Sequence, residues 1–554
     1  MSKIKYLIII GIIVIGLCVG VSFAADSIFK NEIKIDRVTQ AYLSSEEEQL
    51  VVYDLEYNEV NLPRGSNVNL YKEEVKNEEK GTTYNKIKYR GKEYLVNPEN
   101  ITSNSEESIK EKEVFVRTSL TSYKSPDEVH IAGFYKKGTK LQVIGFDRVD
   151  ENGKVNMYKI KDGENEAYVY SKYVVNTVEE ANGVYNENGT YDYHKDRAYS
   201  FELYGGYAKN LDYYPYEKPN FENNQLLAES KTYYLVGTYY VLAEVDKYIN
   251  LAKEAGANAF VVDIKDGALA YASDVAKEYS ITSYNKAMNS KEFYQTAIKK
   301  LKDAGFYVIG RIVLFNDPTY AQDNPDDCIK TSWGTNTTWV SAYSRRAWEY
   351  NVKLAKEAIE LFDFNEIQFD YVRFPEASYN WSKNNYDFRN AYNEEKAQAI
   401  QSFLYYATDE IHKEEVYVSV DVFGECSDTY VTAYGQYWPA ISNIVDVISA
   451  MPYTDHFDRN NSSYWTNPYQ TVKNWGVTAA KRQTEIPTPA GVRTWITAYN
   501  TPYWNVTTIY GANEIAAQIQ GLKDAGLGTG FITWNGVSSY AKYQEIAPAF
   551  KRAY

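Results

Sequence analysis

From Lys231 onward the 554-residue chain alternates apolar runs of strand length with amphipathic stretches of helix length, and the pattern recurs about eight times. The runs read YYLVGTYYV from Tyr233, AFVVDIK from Ala259, YVIGRIVLF from Tyr307 and EIQFDYVRF from Glu366, then VYVSVDVFG from Val416, VDVISAMPY from Val445, VRTWITAY from Val492 and GFITWNG from Gly530. Near-continuous apolar strands joined by helices require a parallel sheet whose outer face the helices cover. Three of the helical stretches end alike, at Glu254-Ala255-Gly256, Asp303-Ala304-Gly305 and Asp524-Ala525-Gly526. A glycine there supplies the left-handed conformation that stops a helix before the chain re-enters the sheet. Eight such units in roughly 320 residues fit an α/β chain closed into a (β/α)8 barrel over 231–554 better than an open doubly wound sheet. No Gly-rich phosphate loop follows any strand, which removes the dinucleotide signature.

The region before the barrel contains a gapless repeat at an offset of 73 residues: Gly65 to Leu70 falls on Gly138 to Val143, Ile87 on Ile160, Val96 on Val169 and Ile101 on Val174. Its alternation of apolar and polar residues between Gly and Asn is that of short half-buried strands. The second copy, with GFYKKGTKLQVIGF and AYVYSKYV, resembles the bacterial SH3-like domain of cell-wall proteins, and the first is a diverged version of it. These units span 111–176 and 30–103. The resemblance implies either wall-peptide binding or a spacer. Residues 177–230 form a linker in which nine tyrosines lie between Tyr185 and Tyr216, an extended connector lying against the next domain rather than a sugar-stacking surface. At the start, Lys3 and Lys5 precede an apolar run to Ala24, which reads as a signal peptide over 1–24 cleaved after Ala24. The alternative is an uncleaved membrane anchor. Either way the location is secreted or at the cell surface.

Composition narrows the partners. The formal charge of −15, with 59 Lys+Arg against 74 Asp+Glu, argues against nucleic acid, which needs a cationic footprint. Three cysteines exclude a disulfide scaffold, and four histidines in the whole chain make a Cys/His zinc cluster a poor expectation. No metal and no cofactor is called for.

A barrel places its active site at the C-terminal ends of its strands. Strand two ends there with Asp263, Lys265 and Asp266, strand three with Arg311, strand four with Asp370, Tyr371 and Arg373, and strand five with Asp421. Strand six delivers Met451, Tyr453 and His456, while strands seven and eight supply Trp495 and Trp534. Carboxylates beside indoles suit a sugar: ring faces stack on the aromatics and acids handle protons and oxocarbenium charge. Each residue also has a structural reading. Asp370 could bridge to Arg373 or Arg311, Asp263 and Lys265 could neutralise each other, His456 could sit in a solvated loop, and both tryptophans could be core.

FVVDIKDG, GRIVLFNDP, NEIQFDYVRFP, SVDVFG and ITWNG occur in order from Tyr233 to Tyr543. This set resembles a TIM-barrel glycoside hydrolase family long catalogued as a domain of unknown function. The resemblance places its strand-four and strand-five aspartates at Asp370 and Asp421. One departure is Met451-Pro-Tyr-Thr-Asp-His456, where the family often has Met-Val-Tyr-Pro-Ser-His; Tyr453 and His456 keep their places. The expectation is hydrolysis of O-glycosidic bonds in an extracellular, peptidoglycan-related or other wall polysaccharide. Asp370 would be nucleophile or base, Asp421 the acid, and Arg311 with Arg373 would hold Asp370 ionised; Asp263, Lys265, Tyr371, Tyr453, His456, Trp495 and Trp534 would bind the glycan. The rivals are a non-catalytic glycan binder and a metal-dependent deacetylase using Asp263 or His456 as ligands.

Overall fold

A computed structural model describes residues 38–183, 204–227, 229–501, 506–528 and 530–552; the expected signal segment lies outside them. Among the described residues no helix is long and apolar enough to cross a membrane. The chain divides into two compact units, residues 1–112 with 144–156, and residues 113–143 with 157–554.

The 73-residue repeat is a repeat of topology. Strands Thr39–Leu43, Gln49–Tyr53, Glu59–Pro63, Asn67–Asn77, Thr82–Tyr89, Lys92–Val96 and Ile101–Thr102 form a seven-stranded sheet in the order third, second, sixth, fifth, fourth, first, seventh. The strands from Glu113–Val116 to Val174–Val175 form a second sheet in that same order. Inward residues at alternate positions, among them Leu43, Val52, Ile87 and Val96, close the first sheet over its own core.

The larger unit carries the barrel. Its strands are β1 (Ser230–Leu235), β2 (Ala259–Asp266), β3 (Tyr307–Val313), β4 (Glu366–Asp370), β5 (Tyr417–Phe423) and β6 (Val447–Met451), then β7 in two pieces (Gly491–Val492 and Thr494–Thr497) and β8 (Gly530–Trp534). All neighbours pair in parallel. The first piece of β7 pairs β6 and the second pairs β8, so Arg493 alone separates the two ends of the sheet and the chain itself closes the ring. The outer helices are α1 (Val245–Ala255), α2 (Lys291–Asp303), α3 (Arg345–Phe362), α4 (Lys396–His412), α5 (Trp438–Ser442), α6 (Pro468–Gln483), α7 (Ala512–Asp524) and α8 (Tyr540–Arg552). Gly256, Gly305 and Gly526 follow α1, α2 and α7 with φ of 77°, 86° and 83°, the left-handed turns their sequence positions demand.

The strands are mostly shorter than the apolar runs that predict them, and in two of them the departure has a visible cause. β1 begins three residues before Tyr233 and ends at Leu235, and Tyr239–Leu242 is a short helix. Gly237 explains the early end: a Cβ there would lie 2.7 Å from both the Ala270 Cβ and the Asp263 carbonyl oxygen, so only glycine lets the chain leave this close to β2. β7 is broken where Arg493 turns its guanidinium to Glu366 at the N-terminal end of β4, a buried ion pair of 2.7 Å that Tyr307 completes by donating to the other Glu366 oxygen at 3.0 Å. Cys328 and Cys426 are both buried and free.

The second β sheet and the connector cover the barrel on its α4 side. Tyr173 packs against Tyr405 at a tilt of 56° with ring centres 4.7 Å apart, Arg117 chelates Asp212 of the connector at 2.9 Å, and Asp409 of α4 accepts from Tyr173 (2.7 Å) and Tyr216 (2.6 Å) while pairing Lys172 (2.5 Å). Further along, Lys218 donates to the Val445 carbonyl (2.6 Å) and Asn224 to those of Asn365 and Glu415, so the connector runs along the rim where β4, β5 and β6 begin.

Candidate active site

Side chains alternate across a strand, and this places the charged residues. On β2, Ala259 and Val261 face the barrel interior, so Asp263 does too; on β3, Tyr307 and Ile309 face inward, and so does Arg311. Asp370 and Asp421 take the equivalent positions at the ends of β4 and β5. The result is one guanidinium among four carboxyl groups. Arg311 Nη1 donates to Asp263 Oδ1 (2.6 Å) and Asp266 Oδ2 (3.1 Å), and Nη2 and Nε donate to Asp370 Oδ2 (2.6 and 3.2 Å). The same Nε lies 3.8 Å from Asp421 Oδ2.

Three of these carboxyl groups, Asp263, Asp370 and Asp421, are buried around a single cation, while Asp266 is exposed. Burial pushes the Asp263 carboxyl up to about 6 against the pull of Arg311. Asp421 is held well above the ordinary carboxyl range, first by burial and then by the charge of Asp370, and Trp495 Nε1 donates to its Oδ1 at 2.7 Å. Asp370 receives the two guanidinium bonds and, on Oδ1, the backbone N–H of Tyr371 at 2.6 Å. Tyr371 makes that bond in the left-handed region, φ 54°, a conformation costing on the order of 1 kcal/mol for a non-glycine residue. The barrel mouth thus holds two unlike carboxyl groups around one arginine: Asp370, gripped by the guanidinium and a backbone N–H, and Asp421, fully buried and pushed up.

Above them is a cavity of about 1050 Å³. Ten of the strand-end residues named from sequence border it: Asp266, Arg311, Asp370, Tyr371, Arg373, Met451, Tyr453, His456, Trp495 and Trp534. Tyr453 and Trp534 stack with centres 6.3 Å apart, and the partly exposed Trp534 borders the cavity. Trp495 is 1% exposed and belongs mainly to the barrel core.

Four expectations are corrected. Asp421 does not face the cavity: it is 0% exposed and lies beneath Asp370 and Trp495. Asp263 is sealed too, with Tyr234 donating to its second oxygen at 2.5 Å, and acts by holding Arg311. Lys265 points away from the mouth, because one residue beyond Asp263 the strand carries a bulge; it forms a buried pair with Asp317 (2.6 Å) and donates to Asn351 of α3 (2.7 Å). Arg373 does not hold Asp370 but pairs Glu376 (2.7 Å) and lies 4.2 Å over the ring of Phe423.

The sequence reading missed the wall that follows β5. Phe423, Gly424, Glu425, Ser427 and Asp428 all border the cavity, as does Trp475 of α6, which donates to the Gly424 carbonyl at 3.0 Å. The available signal was two carboxylates, Glu425 and Asp428, within one turn of the strand-five glycine. Among the described residues no three His, Cys, Asp or Glu side chains are grouped to hold a metal ion.

Fold and site together define an eight-stranded barrel protein with a carboxylate–arginine cluster beneath an aromatic-walled cavity at its strand ends. Residues 233–540 match the family described as "Putative glycosyl hydrolase domain", and the chain belongs to that family. A hypothetical protein from Ruminiclostridium thermocellum is 33% identical over 34% of this chain and 96% of its own, with a TM-score of 0.28. The glycoside hydrolase domain of PgaB from Bordetella bronchiseptica is 12% identical over 58% of this chain and 99% of its own (TM-score 0.42). The catalytic domain of β-amylase from Paenibacillus polymyxa is 11% identical over 59% and 98% (TM-score 0.39). No curated protein matches the chain.

Proposed function

We propose that this protein is a secreted or cell-surface enzyme that hydrolyses O-glycosidic bonds of an extracellular or wall polysaccharide. The observation that carries the reading is Asp370, held by Arg311 and opening on an aromatic-walled cavity that other carboxyl groups also border. Asp370 is the carboxylate that reaches the substrate. It attacks the anomeric carbon or deprotonates the water that does, and Arg311 and the Tyr371 N–H keep it ionised and oriented. Asp421, sealed below, is a positioning residue: it accepts from Trp495 and lies beside Arg311, fixing the floor on which Asp370 stands. Trp534 and Tyr453 supply the apolar floor for a pyranose ring.

The test is to screen wild type and Asp370→Asn against wall and capsule polysaccharides, reading new reducing ends. Wild type is expected to cleave at least one, and the variant to lose about a thousandfold or more while still binding it. Glycan retained by both proteins with no turnover by either would make the barrel a binder instead.

A further inference from the structure

Glycosidic cleavage at Asp370 requires a second group that delivers a proton to the bridging oxygen, and the inference drawn here rests on the hydrolase reading. Asp421 cannot be that group, because it has no surface in the cavity. Five acids do border it: Asp266, Asp370, Glu376, Glu425 and Asp428. Asp266 and Asp370 are bound to Arg311 at 3.1 and 2.6 Å, and Glu376 to Arg373 at 2.7 Å. Glu425 accepts one phenol on each oxygen, from Tyr430 and Tyr434, both at 2.7 Å. Each of these four is thus already held by a cation or by a pair of phenols. Among the described residues Asp428 has neither a cation within ion-pair distance nor a short side-chain hydrogen bond; its side chain accepts from the Tyr430 hydroxyl at 3.4 Å. Its backbone N–H is fixed to the Glu425 carbonyl at 2.9 Å, which closes the turn after β5 and holds the residue at the cavity wall.

We propose that Asp428 is the proton donor of the reaction, with Glu425, three residues earlier on the same turn, as its positioning residue. Burial and the Glu425 charge both raise the Asp428 carboxyl, against smaller pulls from Tyr430 and from Arg482 of α6, which itself pairs Glu485 at 3.1 Å. Cys426, on the same turn, is buried with its thiol pushed up, and so is uncharged. In the step, the proton leaves the Asp428 carboxyl for the bridging oxygen as the anomeric C–O bond breaks and its electron pair passes to that oxygen. The anomeric carbon is taken by Asp370 or by water that Asp370 deprotonates, and one water is consumed per bond cut.

The experiment compares wild type, Asp428→Asn and Glu425→Gln on methyl and 2,4-dinitrophenyl glycosides of the oligosaccharide that wild type releases, across pH. A leaving group as good as dinitrophenolate needs no proton. Asp428→Asn is expected to lose about 10²- to 10⁴-fold on the methyl glycoside, remain within about tenfold of wild type on the dinitrophenyl one, and lose the alkaline limb of its pH profile. Glu425→Gln, with the repelling charge gone, moves that limb to lower pH. Equal losses of Asp428→Asn on both substrates, or none on either, overturn the assignment. Should Asp428→Asn fail to fold, an unmoved limb in Glu425→Gln overturns it as well. A wild-type chain that releases no reducing ends from any polysaccharide overturns the hydrolase reading itself, and the donor with it.

Discussion

Burial, and then the neighbouring Asp370, hold the Asp421 carboxyl well above the ordinary range in the fold, whereas in the unfolded chain it titrates near about 3.9. A carboxyl whose folded pKa is raised gives stability that is fully present below the unfolded pKa and is lost as pH rises toward the folded one. An asparagine side chain at this position would be nearly isosteric with the protonated acid, and its carbonyl oxygen would still accept from Trp495. Wild type should therefore lose stability relative to Asp421→Asn by about 1.4 kcal/mol per pH unit above pH 4, until the folded group itself ionises. Urea unfolding of both proteins at pH 4, 5, 6 and 7 measures this, and parallel curves would show Asp421 to be charged in the fold. The direction in which Asp370, Asp421, Arg311 and Asp263 point was legible in sequence, because period-two alternation decides which residues face inward. Depth was not. Whether an inward carboxyl reaches a cavity or lies beneath one depends on the register of eight strands and on the loops above them, which no single strand encodes. The bulge after Asp263 is of the same kind: it sends Lys265 to Asp317 and away from the mouth.

At the scale of elements, the helix ends were the most legible features, because a glycine two residues past Glu254, Asp303 and Asp524 has one local consequence. The break in β7 was hidden because its cause is remote. Arg493 leaves the strand pattern to neutralise Glu366, 127 residues earlier, and the two are buried together at the N-terminal end of the barrel. Removing one partner leaves the other charge buried and unpaired, whereas removing both leaves an apolar layer. Glu366→Gln is expected to destabilise the chain by about 3–5 kcal/mol, and Glu366→Leu combined with Arg493→Met to recover much of that loss. Chemical unfolding of the single and double variants decides it. A double variant as unstable as the single would mean that the pair is needed to register β7 rather than to cancel charge.

At the scale of the molecule, α4 is unlike an ordinary outer helix of a barrel. Its residues from Lys396 to Ile411 are almost all buried, including Gln401, Ser402, Thr408, Asp409 and Glu410. A helix buried all round must be covered on its outer side, and the second β sheet and connector are what cover it. Sequence alone left that sheet as wall binder or spacer, since the repeat shows its strands but not where its faces go. The docked face carries Tyr123 against Tyr406, Tyr173 against Tyr405 and the shared carboxylate of Asp409. That arrangement makes the sheet a brace for the element directly behind the strand that bears Asp421. A chain beginning at residue 177 would therefore expose two tyrosines and leave Asp409 without Tyr173 and Lys172. It should melt well below the full chain, or precipitate, even though every barrel residue is present. Differential scanning calorimetry of the two chains separates the alternatives, because a sheet that served only as a wall-binding appendage would leave the barrel transition unmoved on removal.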